Sequence, residues 1–333
     1  MAGARFKALI VRRDEATKAQ TAAIEEIGES DLMEGNVTVA VRYSTVNYKD
    51  GLAITGKLPV VRRFPMIPGI DFAGTVTAST HPDFNPGDEV VLNGWGVGEV
   101  HYGAFAGMAR VNGDWLIRKP EGLTLKDTMA IGTAGYTAML AAMALEKAGI
   151  SPAAGKVAVT GAAGGVGSMA VTVLSALHHP VVAVTGRPEE APYLQSLGAG
   201  EVIPRSELTG PVKPLAKERF AGAVDSCGGV VLANLLSMIG YGGAVAAVGN
   251  AAGSDLPTSV APFILRAVSL IGIDSVRQPK AIRFNAWHRL AHLMNMEKLA
   301  AMTHTIGFAG IEAAARDVIA GKIRGRVVVD MEA

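Results

Sequence analysis

Hydrophobic and polar positions alternate in two different ways along the chain. Between Phe6 and about Pro120, short runs of apolar residues are separated by turn signals such as Pro68-Gly69 and Pro86-Gly87. This spacing is typical of short strands, so it predicts a small, mostly β region. From about Thr124 onward, apolar strands alternate with longer helical stretches, which predicts βαβ units around a parallel sheet.

Each region contains strands that the pattern defines closely. In the first region they are FKALIV, NVTVAVRYSTV, GTVTAS and DEVVLN; in the second they are Val157–Thr160, Val181–Thr185, Glu201–Ile203, Ala223–Asp225, Ala244–Val248 and Leu270–Ile273. An amphipathic helix is expected from about Ile282 to Met294, and a final strand at Arg326–Asp330. No βαβ partner follows that strand, so we assign it to the first region. The expected fold class is α/β, with a β domain of residues 1–125 completed by 277–333 and a parallel-sheet domain of residues 126–276.

Composition restricts the class of protein. The chain has 333 residues, which corresponds to about two domains, and a hydrophobic fraction of 49%. Its 31 basic and 30 acidic residues exclude a disordered chain and a globally basic nucleic-acid binder. The single cysteine, Cys227, excludes an internal disulfide and a four-cysteine zinc site, and it favours the reducing cytoplasm.

Two long stretches without charged residues need a separate explanation. Residues 157–186 and 227–254 contain no Asp, Glu, Lys or Arg and exceed the length of a membrane span. Both are interrupted by glycines, and the first also contains His178, His179 and Pro180. Such turn signals predict buried parallel strands and their helices, so we expect no membrane association.

The strongest local motif is a glycine-rich turn between a predicted strand and a predicted helix. In KVAVTGAAGGVGSMAVTVL, Gly161, Gly164 and Gly167 form a GxxGxxG pattern. Glycines here let the backbone turn tightly and approach a pyrophosphate, whose charge is bound by N–H groups at the helix N-terminus. The alternative is a simple tight turn, but the strand before and the helix after favour a dinucleotide site. The predicted contacts are Ala163, Gly164, Gly165 and Val166.

The end of the next predicted strand indicates which nicotinamide cofactor is bound. An NAD site usually has an acidic residue about 20 residues on, which accepts from the ribose 2′-hydroxyl. Here the strand ends in Thr185-Gly186-Arg187, with no acidic residue at its tip. Arg187 can pair with a 2′-phosphate, the Thr185 hydroxyl can add a hydrogen bond, and Arg205 can supply a second cation. These residues favour NADPH, although each is also compatible with an ordinary solvated strand end.

Several further motifs resemble the medium-chain dehydrogenase/reductase superfamily, and within it the acryloyl-CoA reductase and YhdH-type quinone oxidoreductase group. The resemblance covers nearly the whole chain. It rests on NYKDGLAITGK (Asn47–Lys57), FPMIPGIDFAGTV (Phe64–Val76), GWGVGE (Gly94–Glu99), GTAGYTAML (Gly132–Leu140), TGAAGGVGS (Thr160–Ser168), VTGR (Val184–Arg187) and RGRVVVD (Arg324–Asp330). It implies a GroES-like catalytic domain built from both chain ends, a Rossmann doubly wound domain between them, and NADPH and substrate in the cleft between the two. For the group it implies reduction of acryloyl-CoA to propionyl-CoA.

The resemblance also bears on metal binding. Zinc members of the superfamily carry a Cys and a Gly-His-Glu where this chain has Asn47-Tyr48-Lys49-Asp50 and Gly69-Ile70-Asp71. Neither segment offers a thiolate or an imidazole. His288 and His292 have helical i, i+4 spacing, but no third ligand is evident. We therefore expect no metal, and reduction of an activated C=C bond rather than alcohol dehydrogenation.

Site residues follow from the resemblance with less detail. It places Tyr48 beside the nicotinamide, where the phenol either donates to the substrate oxygen or only packs against the cofactor. Asp71 is a second candidate for the chemistry, with a structural role in the PGID turn as the alternative. Further cofactor contacts are expected from Asn250, Ser275 and Arg326. Candidate substrate residues are Arg324 and Arg63, the latter in a basic cluster with Arg62 and Lys57 that is otherwise a solvated loop face.

Two alternatives to the CoA reductase remain at this point. One is an NADPH:quinone reductase, and the other is a non-catalytic NADPH-binding or sensing protein. The low aromatic content of 5% favours CoA over a flat quinone. We also expect a homodimer, since superfamily members often join their sheets through the last strand, here Leu270–Asp274, whose apolar edge is otherwise open to unwanted pairing.

Overall fold

A computed structural model describes residues 5–333, which form two compact units. The first unit comprises the chain up to Thr133 together with Ser275–Ala291 and Thr303–Ala333. The second unit comprises Ala134–Asp274 and His292–Met302. The α/β fold class is confirmed.

The first unit is mostly β. Six of its strands are hydrogen-bonded in the order β14-β15-β3-β4-β5-β7, and β6 also pairs with β3. All these neighbours are antiparallel except β14 and β15, which are parallel. The last strand therefore returns to the first unit, as its lack of a βαβ partner predicted. The strands are β1 Arg5–Arg13, β2 Gln20–Gly28, β3 Val37–Thr45, β4 Asp71–Ser79, β5 Glu89–Asn93, β6 Met108–Val111, β7 Ile117–Arg118, β14 Thr303–Gly307 and β15 Arg326–Asp330.

The second unit contains a parallel sheet in the order β10-β9-β8-β11-β12-β13. The order reverses between β8 and β11, as in a doubly wound Rossmann sheet. Its interior strands are almost entirely apolar and buried because helices cover both faces. The strands are β8 Val157–Thr160, β9 Val181–Thr185, β10 Glu201–Pro204, β11 Phe220–Asp225, β12 Ile239–Ala247 and β13 Ser269–Gly272.

The helices connect and flank these sheets. The segment 292–302, which we expected in the first domain, belongs to the second unit, where Lys298 Nζ donates to the Leu197 carbonyl at 2.9 Å. The helices are α1 Tyr48–Thr55, α2 Leu125–Lys147, α3 Gly165–Ala176, α4 Ala191–Leu197, α5 Gly229–Ser237, α6 Ala261–Arg266, α7 Lys280–Leu293, α8 Met296–Ala301 and α9 Ile311–Ile319.

Among the described residues, only α2 is long and apolar enough to cross a membrane by length and composition. It is interrupted at Gly132, where the backbone leaves helical geometry, and most of its apolar surface is buried within the protein. These features are typical of a core helix.

Candidate active site

The glycine-rich turn, residues 161–164, connects the end of β8 to the start of α3. It lies at the carboxyl edge of the parallel sheet, beside the position where strand order reverses between β8 and β11. Ligands of open α/β sheets usually bind at this position. The first N–H groups of α3 have no acceptor within the helix, so they are available to an anion.

Each glycine of the motif meets a different steric requirement. Gly161 has a φ of +60°, and a Cβ there would lie 2.3 Å from Ser226 Oγ. A Cβ on Gly167 would lie 2.2 Å from the Gly161 carbonyl oxygen, so α3 could not pack this closely. Among the described residues, a Cβ on Gly164 would approach only that same oxygen, at 3.3 Å. The space beside Gly164 is therefore open, which fits a pyrophosphate held against the turn.

Arg187 lies just beyond the tip of β9 and is held close to the glycine-rich turn. Its Nη2 donates to the Ala163 carbonyl at 3.2 Å, and its guanidinium is 3.7 Å from Glu190. The Thr185 hydroxyl is buried and accepts from the Arg187 N–H at 3.0 Å. Thr185 therefore shapes the turn that carries Arg187, and its bond to a cofactor phosphate stays a prediction.

Arg205 has different surroundings from Arg187. It is exposed, and its side chain makes no ion pair or hydrogen bond with any residue in the range 5–333. Its guanidinium lies against Gly186, where a Cβ would be 3.0 Å from Arg205 Cζ. The glycine thus makes room for a cation without a counterion next to the tip of β9. A ribose 2′-phosphate would supply the missing charge, so the arrangement fits NADPH.

The loops after β11 and β12 lie at the same edge of the sheet. The Thr160 hydroxyl donates to Asp225 at 2.6 Å, and burial raises the pKa of that carboxyl. Asn250 is exposed in the loop after β12, and the Ala252 N–H in this loop donates to the Cys227 carbonyl at 2.7 Å. The sheet therefore brings Asn250 to the edge that carries the glycine-rich turn. Cys227 is buried, and burial raises the pKa of its thiol, as expected for a structural residue.

A buried polar cluster of Asn47, Asp50, Asp71 and Arg326 lies in the first unit. Asn47 Nδ2 donates to Asp50 and to Asp71, each at 3.1 Å, while its Oδ1 accepts from Arg326 at 3.2 Å. Arg326 also donates to the Thr45 hydroxyl at 2.7 Å. The cluster connects the start of α1 to β3, β4 and β15.

Gly132 makes this close packing possible. Its φ of +50° and ψ of −159° interrupt α2, and a Cβ there would lie 2.7 Å from Arg326 Nη2 and 2.9 Å from Asp71 Oδ2. Just after the interruption, the Thr133 N–H donates to Asp71 Oδ2 at 2.7 Å. A larger residue at this position would separate the two ions.

The charges of the cluster are balanced internally. Burial raises the pKa of Asp71, and the neighbouring Arg326 guanidinium opposes that rise. Burial, together with the negative charge of Asp71, raises the pKa of Asp50 to about 7. With Asp50 protonated, one carboxylate and one guanidinium remain, so the cluster is neutral and its burial costs least.

The position of this cluster disagrees with two predicted roles. Asp71 is 0% exposed and Arg326 is 3% exposed. Their charges are compensated by each other and by neighbouring polar groups, so Asp71 does not reach the surface as a catalytic group and Arg326 does not present a free cation to a cofactor. Both support the backbone around α1.

The remaining predicted residues lie nearer the surface of the first unit. Tyr48 begins α1, is 37% exposed, and its hydroxyl has no hydrogen-bond partner in the described part of the chain. Ser275 is half-buried, and its carbonyl accepts from Arg283 at 3.4 Å. Arg324 is half-buried. Arg63 is exposed; burial lowers the pKa of His101, and the charge of Arg63 lowers it further.

Comparison with known proteins identifies the family. The model of the alcohol dehydrogenase GroES-like domain matches residues 33–121, and that of the zinc-binding dehydrogenases matches residues 165–295. The acrylyl-CoA reductase AcuI of Ruegeria pomeroyi is 52% identical over 98% of this chain and 100% of its own length. The chain belongs to the medium-chain dehydrogenase/reductase superfamily.

Solved structures place the chain more closely within that superfamily. The yhdH oxidoreductase of Salmonella enterica, solved with NADP, is 50% identical with a TM-score of 0.95 and covers 98% of this chain and 99% of its own. Bacillus subtilis yhfP, solved with NAD, is 42% identical with a TM-score of 0.94 and covers 99% of this chain and 100% of its own. YhfP is described as a putative quinone oxidoreductase. The predicted group of AcuI and YhdH proteins is thus confirmed.

The segment that the resemblance sets against the cysteine of zinc members, Asn47-Tyr48-Lys49-Asp50, contributes to the buried polar cluster. Asn47 uses its amide for the two aspartates and the guanidinium of that cluster. Between residues 5 and 333, no group of three or more His, Cys, Asp or Glu side chains could hold a metal ion. His288 and His292 are both exposed on α7.

Sequence reasoning missed part of this arrangement. Asp50 had a local signal, because it follows Asn47 by three residues at a helix start and accepts from the Asn47 N–H at 2.8 Å. Gly132 had none beyond being a glycine inside a helical pattern. Arg283 also had no signal: it is buried on α7 and donates to the Asn93 carbonyl at 2.8 Å.

Proposed function

We propose that this protein reduces the C=C bond of acryloyl-CoA with NADPH, forming propionyl-CoA. The match to the Ruegeria acrylyl-CoA reductase over the full length of both chains carries this proposal. The cofactor site supports it: the turn at Gly164 is open, and Arg205 lies beside Gly186 without a counterion among residues 5–333. The yhdH protein solved with NADP is consistent with the same cofactor.

The residues of the chain need to hold the reactants and stabilise charge. When bound, NADPH supplies a hydride for the β-carbon of the enoyl thioester. Negative charge then develops on the thioester oxygen, and a proton must reach the α-carbon. Tyr48 donates a hydrogen bond to this oxygen, because its hydroxyl is accessible and uncommitted. The buried polar cluster acts as a positioning group, because it fixes the first turn of α1, which carries Tyr48.

A steady-state assay tests the proposal. NADPH oxidation should be fast with acryloyl-CoA and slower with crotonyl-CoA, longer enoyl-CoA thioesters and quinones in the same panel. If no enoyl-CoA thioester oxidises NADPH, the reductase assignment fails. Tight NADPH binding without turnover of any acceptor would instead support the binding or sensing protein.

Quinone reduction is the second candidate activity. It is supported by YhfP, the putative quinone oxidoreductase that is 44% identical to this chain. The two acceptors differ in their anionic groups, since CoA carries phosphates and a quinone carries none. A kcat/KM for quinones that exceeds the value for acryloyl-CoA would favour this candidate.

We also propose that the reaction needs no zinc. Asn47 lies in the segment that the resemblance sets against the cysteine of zinc members, and its amide is already bonded to Asp50, Asp71 and Arg326. Dialysis against a chelator should therefore leave kcat unchanged. Loss of activity that zinc restores would contradict this.

The protein is further proposed to be a cytoplasmic homodimer joined through β13. This strand pairs only with β12 among the described residues, so its other edge is open. Nearby α6 exposes Ile264 and Leu265. An apolar surface beside an open edge favours association with a second copy. Light scattering should give the mass of a dimer, and Ile264→Lys should reduce it to that of a monomer; a monomeric parent would refute the idea.

A further inference from the structure

A half-open cavity of about 250 Å³ lies in the first unit and is lined by residues of neither the glycine-rich turn nor the buried polar cluster. We call it the tryptophan cavity. Its walls come from Arg62, from the loop that carries Trp95, Glu99 and Val100, and from Val276 and Arg277. These parts of the chain are far apart in sequence, so folding alone brings them together.

The loop that carries Trp95 is fixed in an unusual conformation. Trp95 has a φ of +57°, a backbone region that bulky residues rarely adopt. The Trp95 N–H donates to the Val276 carbonyl at 3.1 Å, and a Cβ on Gly94 would lie 2.9 Å from Val276 Cα. The backbone that carries the indole is therefore held against Val276 in another wall of the cavity. Backbone strain of this kind persists where the surroundings enforce it, often at ligand sites.

The charge of the cavity is positive. Arg62 is exposed at its rim, and its side chain makes no ion pair with any residue that the structure describes. Arg277 supplies a second guanidinium on the opposite segment. The carboxylate of Glu99 is neutralised by Lys49 at 2.9 Å, so it does not cancel the charge of Arg62. An anionic group is the matching ligand for the Arg62 guanidinium.

The indole adds a flat apolar surface. Arg283 lies over the Trp95 ring at 5.1 Å, so that face is covered. Trp95 Nε1 is buried and finds no acceptor in the described part of the chain. The rest of the ring lines the cavity, with Val100 and Val276 as apolar neighbours. An aromatic ring next to two guanidinium groups is suited to a purine that carries a phosphate.

We propose that the tryptophan cavity binds the 3′-phosphoadenosine end of the CoA thioester, with Arg62 on the 3′-phosphate and Trp95 beside the adenine. This deepens the proposed function and rests on it, since a CoA thioester is the substrate. The assignment differs from the sequence expectation, which named Arg63: its neighbour Arg62 lines the cavity, and Arg63 does not. It makes the cavity a specificity determinant for CoA over shorter thioesters.

Calorimetric titration with free CoA and 3′-dephospho-CoA tests the cavity without turnover. The parent protein should bind CoA about 10-fold more tightly, as expected for one charge-assisted phosphate contact at a partly exposed site. In Arg62→Ala this preference should fall to about 3-fold or less. Arg316→Ala is the matched control, because Arg316 is 62% exposed on α9 and removes the same charge. No preference in the parent, or a preference that survives Arg62→Ala, would overturn the proposal.

Kinetics then separate this site from the proposed function. Arg62→Ala should raise the KM for acryloyl-CoA about 10-fold, leave its kcat unchanged, and leave the KM for acryloyl-pantetheine and for NADPH unchanged. An equal rise for acryloyl-pantetheine would overturn the cavity assignment alone. If no thioester is reduced by the parent, the proposed function fails, and the calorimetric comparison still decides whether the cavity recognises the 3′-phosphate.

Discussion

Arg205 is expected to determine the preference for NADPH over NADH. Its guanidinium lies against Gly186 and has no ionic partner among residues 5–333, so a 2′-phosphate would be its first counterion. A charge-assisted pair of this kind contributes about 1.5–3 kcal/mol when well ordered. Because Arg205 is exposed, solvent reduces this to about 1–2 kcal/mol, which corresponds to about 5- to 30-fold in affinity.

Arg205→Ala should therefore raise the KM for NADPH by about 5- to 30-fold and leave the KM for NADH nearly unchanged. Arg187→Ala should also affect NADPH more than NADH, but less strongly, because Arg187 already pairs with Glu190 and the Ala163 carbonyl. The assay is steady-state reduction of acryloyl-CoA with each cofactor varied in turn. Equal changes for both cofactors would refute the reasoning.

A control removes the same charge elsewhere in the second unit. Arg219 directly precedes β11, at the opposite edge of the sheet from the glycine-rich turn, and pairs with Glu207 at 2.6 Å. Arg219→Ala should leave the ratio of the two KM values unchanged. A shift in that ratio equal to the one for Arg205→Ala would mean that net charge, not a local contact, selects the cofactor.

Three further predictions follow from the geometry. Gly164→Ala should fold normally but raise the KM for NADPH. Gly167→Ala should instead lower the free energy of unfolding by about 1–3 kcal/mol, because its Cβ would meet backbone atoms at 2.2 and 2.6 Å. Denaturant titration and steady-state kinetics distinguish the two variants, and equal stability of both would count against the packing argument. Tyr48→Phe should lower kcat about 10- to 100-fold with little change in the KM for NADPH, and an unchanged kcat would remove the phenol from the chemistry. Burial raises the pKa of Asp50 from 3.8 to about 7. Between these two pH values the folded chain holds a proton that the unfolded chain has released. The free energy of unfolding therefore falls as the pH rises from 3.8 to about 7. Asp50→Asn should flatten this fall in urea titrations between pH 4 and 7, and an unchanged slope would contradict the assignment.

Much of the parallel sheet could be predicted because its strands are buried on both faces. Val157–Thr160 and Val181–Thr185 are entirely buried in the structure, and glycines or prolines bound them in the sequence, so pattern alone located both ends. β2 was not predicted. Its residues, Gln20–Gly28, are mostly exposed or half-buried and mix acidic with apolar side chains, so neither alternation nor a continuous apolar run marks it.

Part of the candidate site could likewise be predicted from the sequence, and part of it could not. The glycine-rich turn could be predicted because its three glycines act over seven consecutive residues. The buried polar cluster could not, because Arg326 reaches Asn47 across 279 residues and neither residue type indicates burial on its own. For the same reason the resemblance placed Asp71 among candidates for the chemistry and Arg326 among the cofactor contacts, although the structure buries both.

The buried polar cluster bears on the proposal that the reaction needs no zinc. Asn47 shares its amide between two carboxyl groups and a guanidinium, so both polar atoms of this amide have protein partners. Removing one member of such a set leaves a buried charge uncompensated, at a cost of about 3–5 kcal/mol. The first turn of α1, and with it Tyr48, is therefore held by this buried network. With no zinc in the reaction, as proposed, hydrogen bonds would polarise the substrate oxygen, which suits an acceptor activated by its own thioester.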